Sequence, residues 1–404
     1  MKPGDATGTI EPTTPATALT GFLVLYVALY SAYGTESAYM PAFLLGHGLP
    51  VERIGLVLAA GTVVRIASGT AIGRLADRLQ QRKQILSVTA ALSGFIGWAY
   101  LVAFGFLPLL CVSIAHAAAT ASLAPLSDAL SVAAASERPG FQYGWVRGVG
   151  SAAFVFGTLL SGQLVDRLGL SCIIVASSVL FLAMAICAAR VRPSHKVADT
   201  SDATAGAFSF LWGISAYRRL IFIVVLVIGS HAVNDTFAVI SWRAGGYRSE
   251  AVSLLWSESV VAEVATFFWL GPWLIRHLGL TPCAGLSAAA GVIRWSVMGT
   301  TIWMPALVGV QALHGLTFAL LHMVAMRIIA TSVPERLAAT AQSFYGAFAL
   351  GVASAALTLA SGYLYSLLGI RAFWAMAALC ALALPLVGGL TTPSFYPAVP
   401  RARA

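Results

Sequence analysis

Apolar runs long enough to cross a bilayer recur along almost the entire chain, and they leave it few folds. A hydrocarbon core about 30 Å thick calls for helices of about 20 apolar residues, because exposed backbone N–H and C=O groups find no partner in lipid. We count twelve such runs, at 18–45, 51–72, 84–106, 108–132, 141–165 and 170–190, then 217–242, 250–273, 280–299, 302–327, 336–365 and 369–390. Composition points the same way, with 59% of residues hydrophobic and 10% charged. The expected class is an all-α, multi-pass integral membrane protein. Residues 1–17 are Pro/Thr-rich without a cleavage-type sequence and read as a short cytosolic tail, not a removable signal peptide.

A net charge of +9 raises the question of nucleic acid, and the placement of the charges answers it. With a cytosolic N-terminus, 16 of the 24 Lys and Arg fall in cytosolic tails and loops, 5 outside and 3 within spans. That is the positive-inside asymmetry of a plasma (inner) membrane protein with both termini cytosolic, so membrane lipid is the implied partner and nucleic acid is not. The five cysteines are scattered in apolar surroundings without CxxC spacing, which indicates neither a metal site nor a disulfide framework. We find no nucleophile–base set, metal motif or phosphate loop, so no enzyme, no catalytic residue and no cofactor is expected.

The longest internal polar segment, with Arg192, His195, Lys196, Asp199 and Asp202, divides six runs from six. The expected organisation is a tail 1–17, a half 18–190, a cytosolic loop 191–216, a half 217–390 and a cytosolic tail 391–404. GQLVDRLGL (Gly162 to Leu170) is echoed by GYLYSLLGI (Gly362 to Ile370), an offset of 200 residues. Two six-helix halves related as parallel repeats resemble the major facilitator superfamily, whose substrates bind near the midplane between the halves. GRLADRLQQRK, Gly73 to Lys83, resembles that superfamily's loop signature between the second and third spans. Gly73 permits close helix approach, and Asp77, beside Arg78, is placed to pair with a basic residue or a helix N-terminus and hold the cytosolic side shut.

Ionisable residues inside apolar runs are the candidate site, since a charge at mid-membrane costs about 2.5–3.5 kcal/mol on insertion scales. In SLLWSESVVAEVATFFWL, Ser253 to Leu270, Glu263 falls near the midplane on one stripe with Trp256, Val260 and Phe267. Asp128 and Arg147 lie near the cytosolic ends of adjacent antiparallel spans, so they can pair; the guanidinium offers a fork for a carboxylate or for paired hydroxyls, or forms a structural bridge. His231 and Asp235 share a face of the seventh span, Arg294 sits deep in the ninth, and His314 and His322 lie on the tenth. Eight residues place two histidines about 80° apart on a regular helix, poor for a shared metal ion. Arg65 is placed to snorkel to the interface, and Glu36 either lines a cavity or faces water.

The stretches SHAVNDTFAVISWRAGGY, LWSESVVAEV, VIRWSVMG and QALHGLTFALLHMVAMRIIA, with PLSDAL and YGWVRGVGS in the first half, resemble the phenylpropionic acid transporter family, a relative of the oligosaccharide:proton symporters. The resemblance implies a proton-coupled symporter of a small organic anion. Asp128 and Arg147 then fall at the carboxylate–arginine pair of the sugar site, Glu263 at the eighth-span glutamate, Arg294 at the ninth-span arginine and His314 at the tenth-span histidine. It departs at Thr317, where the symporters place a proton-carrying glutamate. The expected substrate-binding set is Arg147, Asp128, Arg294 and Trp256, the proton-coupling set Glu263, His314 and Asp235, and the gating loop Gly73, Asp77 and Arg78, with a proton gradient as driving force. Sugar or nucleoside symport, proton-driven export and a non-transporting membrane assembly protein are the alternatives.

Overall fold

The computed structural model describes residues 15–137, 141–191 and 207–390. The charged residues Arg192 to Asp202 of the central segment, the tail 391–404 and most of the N-terminal tail lie outside the described residues. Twelve helical spans follow one another, without a strand among the described residues. They are α1 (Pro15–Ser37, continued by Met40–Gly46), α2 (Val51–Leu79), α3 (Arg82–Ala99), α4 (Phe106–Glu137), α5 (Tyr143–Leu168) and α6 (Ser171–Arg190). The second half has α7 (Ser215–Ala244), α8 (Ser249–Leu278), α9 (Leu280–Met298), α10 (Met304–Ser332), α11 (335–368) and α12 (Ala372–Val387). Within the expected central loop, Ala207–Gly213 forms a short helix. Its Phe208 and Trp212 stack, with ring centroids 5.7 Å apart, and both meet Phe344 at the start of α11.

Local sequence explains where the spans are irregular. Pro41 restarts α1 after a break at Ala38 and Tyr39, since proline lacks the N–H of a helix interior but suits its first turn. Pro272 likewise crowds the preceding turn of α8, and Thr266–Leu270 widens into a π-helix there. Gly169 and Gly369 take φ values of +80° and +56° at the α5–α6 and α11–α12 turns, which favours glycine. Their separation, 369 − 169 = 200, is the offset of the sequence echo.

An even number of spans puts the first and last on one side, here the terminal face. The halves meet toward the opposite face. A Cβ at Gly55 of α2 would stand 2.6 Å from the Thr358 carbonyl oxygen and 3.0 Å from the Gly362 Cα on α11. A Cβ at Gly162 of α5 would stand 2.7 Å from the Ser249 carbonyl oxygen on α8. Asp166 accepts the backbone N–H of Ser249 at 2.8 Å and of Glu250 at 3.0 Å, and so caps α8 from the other half. Tyr39 donates to the Ser249 carbonyl at 2.5 Å. One buried apolar cluster runs from Phe43, Ile54 and Ile173 continuously into the second half. A separate cluster, around Phe22, Leu86, Leu126 and Phe181, belongs to the first half alone and fills its end toward the terminal face. The halves therefore close at one face and part at the other.

Candidate functional site

Between the halves lies a cavity of about 540 Å³, within the range that holds a small organic molecule. Its walls come mostly from the second half: His231, Asn234 and Asp235 of α7, Trp256 and Ser259 of α8, His314 and Phe318 of α10, and Ser354 and Thr358 of α11, with Thr62 of α2 opposite. Asp235 is open to it and accepts from the Asn234 amide at 3.0 Å.

Two widened turns set up the wall beside Glu263. α8 turns π-helical three residues after it, and α10 does so from Gly315 to Leu320, directly after His314. Such turns are frequent at functional sites because they re-aim side chains. Gly315 lets the two helices touch: a Cβ there would press on Thr266 Oγ1 and stand 2.5 Å from the Ala262 carbonyl oxygen. As a result His314 Nε2 lies 3.4 Å from a Glu263 carboxylate oxygen.

Arg294 decides how that histidine is protonated. The guanidinium can only donate, and it does so to His314 Nδ1 at 2.9 Å and to Gln311 Oε1 at 2.6 Å. His314 Nδ1 is therefore an acceptor, and the neutral ring carries its proton on Nε2, aimed at Glu263. A second histidine is fixed in the opposite sense. His231 Nδ1 faces the Ile228 carbonyl at 2.8 Å and must bear the hydrogen, so Nε2 accepts from Thr317 Oγ1 at 3.0 Å. Arg294 is fully buried, lies 4.4 Å from the Trp295 ring centroid and leaves Nε without a partner. It forms no ion pair among the described residues, and Asp235 lies within its electrostatic reach. A lone buried cation costs several kcal/mol, which nearby carboxylates or an anion must offset.

On the first half Arg147 stands 3.7 Å from Asp128, both about half exposed. Tyrosines hold the pair: Tyr26 and Tyr143 donate to Asp128 Oδ1 at 2.5 and 2.9 Å, and Arg147 donates to the Tyr30 hydroxyl. Arg147 is within electrostatic reach of Glu263 across the gap.

The family model described as the MFS_1 like family matches residues 18–376, most of the chain. The chain belongs to that family. It is 35% identical over 358 residues to a "Probable 3-phenylpropionic acid transporter" of Escherichia coli K12, covering 87% of this chain and 92% of the relative. It is 24% identical to a "Maltose permease" of Geobacillus stearothermophilus over 90% of this chain and 92% of that one. A crystal structure of a variant of the nucleoside transporter NupG superposes with a TM-score of 0.84 at 12% identity, over 93% of this chain and all of the other, which shows the fold. The protein is a multi-pass membrane transporter with the major facilitator fold, and not an enzyme.

In this member of the family Glu263, His314 and Arg294 form one chain of contacts, with Trp256 and Asp235 on the cavity wall and Asp128 and Arg147 across the gap. Gly73, Asp77 and Arg78 lie apart, at the terminal face, where Asp77 pairs with Arg82 at 2.7 Å and a Cβ at Gly73 would meet nothing within 4 Å. One expectation needs correction. His314 and His322 are not 80° apart, because the π-helical stretch between them takes more residues per turn; their rings stack on either face of Phe318, at 5.7 and 6.3 Å. Arg65 is exposed on α2 and lies within electrostatic reach of buried Tyr33, Tyr100 and His116. Sequence reasoning missed Tyr26, Tyr30 and Tyr143, although Tyr26 and Tyr30 sit at i and i+4 and so share a helix face. It also missed Gln311, three residues before His314, which carries no charge to draw notice.

Proposed function

We propose that the protein is a proton-coupled symporter of a small organic acid with an aromatic body, such as 3-phenylpropionate, working by alternating access in the inner (plasma) membrane with both termini cytosolic. The observation that carries this is the chain Arg294–His314–Glu263, fully buried at its arginine and half-buried beyond it, beside a cavity between the halves. The terminal face is then cytosolic, and the cavity opens inward. Arg147, half exposed in the gap, takes the substrate carboxylate, while the hydroxyls of Tyr26, Tyr30 and Tyr143 hold it beside Asp128. Trp256 and Phe318 supply an apolar wall for the ring.

Arg294 has a different part. It fixes the His314 tautomer so that the Nε2–H is on the side of Glu263. A proton and a substrate anion entering together neutralise the cluster and let the halves rock closed around the load; loss of the proton to the cytosol resets it. Thr317, which cannot carry a proton, links His231 to Arg294 instead, so the proton rides on Glu263.

The test is uptake of labelled 3-phenylpropionate into proteoliposomes under an imposed inward proton gradient. Gradient-dependent uptake that falls at least tenfold or so in Arg147→Ala, with its charge-assisted contact gone, supports the assignment. Uptake of maltose or a nucleoside, with none of the aromatic acid, would move the substrate to another class; accumulation driven by the reversed gradient would make the protein an exporter.

A further inference from the structure

We infer that His322 is the proton-release relay of this transporter, taking the proton from Glu263 and passing it to water at the terminal face. The inference rests on the proton-coupled reading above and adds the step that Thr317 leaves open. On α10, a regular helix would turn His322 away from His314. The π-helical stretch Gly315–Leu320 instead lines up His314, Phe318 and His322 as one stacked file, with interplanar angles of 5° and 10°. Eight residues carry His322 about 10 Å nearer the terminal face than His314. Glu263 stands beside the file at the His314 end and is within electrostatic reach of His322.

His322 is built to exist in two protonation states. Its Nδ1 lies 2.9 Å from the hydroxyl of Tyr345 on α11, whose oxygen accepts the Nδ1–H in both states and so leaves Nε2 free to take up a proton and give it back. Phe267 of α8, one turn beyond Glu263, meets the ring edge-on at 6.1 Å. The ionisable groups around His322 are thus Glu263 from α8, Tyr345 from α11 and His314 from its own helix, with Arg147 of α5 acting on Glu263. In the transfer the carboxylic O–H of Glu263 breaks and an N–H forms at His322 Nε2, giving a carboxylate and an imidazolium. The imidazolium then loses that proton to water in the gap, where the halves have parted, and returns to neutral. His322 itself is half-buried, so water reaches it.

The experiment compares wild type, His322→Asn and His322→Glu in proteoliposomes, with 3-phenylpropionate as probe. Asparagine keeps a hydrogen-bonding side chain beside Tyr345 but cannot carry a proton. Gradient-driven uptake should fall at least about tenfold in His322→Asn, exchange of external for internal substrate, which needs no net proton release, should stay within about twofold, and His322→Glu should restore part of the driven uptake. Driven uptake unchanged in His322→Asn, or exchange lost in parallel with it, would overturn the relay. A wild type indifferent to the gradient would remove the coupled reading before any substitution was tested. A measurement needing no substrate backs this up: in histidine-labelled protein, the His322 resonance should titrate, with a midpoint that moves in Glu263→Gln. A resonance that does not titrate would refute the inference.

Discussion

Substituting Gly362 on α11 tests whether the observed arrangement is one end of a rocking cycle. A methyl at Gly362 would lie 2.7 Å from the Glu52 carbonyl oxygen and 3.3 Å from Gly55 Cα. An ordinary carbon–oxygen contact is about 3.3 Å or more, so α2 and α11 must separate by roughly half an ångström. Overpacking of this kind costs about 1–3 kcal/mol. The cost falls only on the state in which the opposite face is closed, because the other state draws these helices apart. At 1.4 kcal/mol per factor of ten, Gly362→Ala should shift the equilibrium about 5- to 150-fold toward opening at that face, and Gly362→Leu further. The reporter is a cysteine at Ser354, on the cavity wall, in a variant lacking the native cysteines, labelled from the opposite face with an impermeant thiol reagent. The labelling rate should rise at least about fivefold over the Gly362 parent. An unchanged rate in a correctly inserted protein would refute the idea that this helix crossing holds the face shut.

Other substitutions probe the remaining contacts. Asp166→Asn removes the charge that caps α8 from the other half, worth about 0.5–2 kcal/mol, and should raise the same labelling rate in the same direction. Gly315→Ala should push α10 off α8 at the Glu263–His314 contact and cut driven uptake at least about tenfold with normal amounts of protein in the membrane, as a blot and a transport assay together would show. Arg294→Lys replaces a planar fork by one ammonium that cannot serve His314 and Gln311 together; driven uptake should fall by a similar factor, and uptake near the wild-type level would remove the tautomer-fixing role. Tyr143→Phe deletes one of two tyrosine bonds to Asp128 and should raise KM about 10- to 150-fold with kcat largely kept, given about 1.5–3 kcal/mol for a bond to a charged group.

Much of this molecule is written in its apolar runs. Lipid allows only helices or closed barrels, so twenty-residue runs announce both the helices and their number. Ionisable residues stand out against that background, which is why Glu263, Arg294, His314, Asp128 and Arg147 are legible as interruptions of it. What the pattern does not carry is rotation about the helix axis. A period of 3.6 residues separates His314 from His322, and only the π-helical stretch after Gly315 restores them to one face. Nor does it carry partners that are neutral: Gln311 and the tyrosines around Asp128 are common residues in spans, and their roles come from the contacts of α9 with α10 and of α1 with α4 and α5. The Asp166 cap on α8 is hidden for a further reason, since its partners are backbone groups of the other half.

The central claim is that substrate carries a proton in with it through Glu263. Proteoliposomes loaded with a pH-sensitive dye and clamped at zero membrane potential measure this directly when 3-phenylpropionate is added outside. Wild type should acidify the lumen beyond protein-free liposomes, which report leak of the free acid, and Glu263→Gln should not, while still exchanging labelled for unlabelled substrate. Acidification by Glu263→Gln equal to that of wild type would contradict the claim.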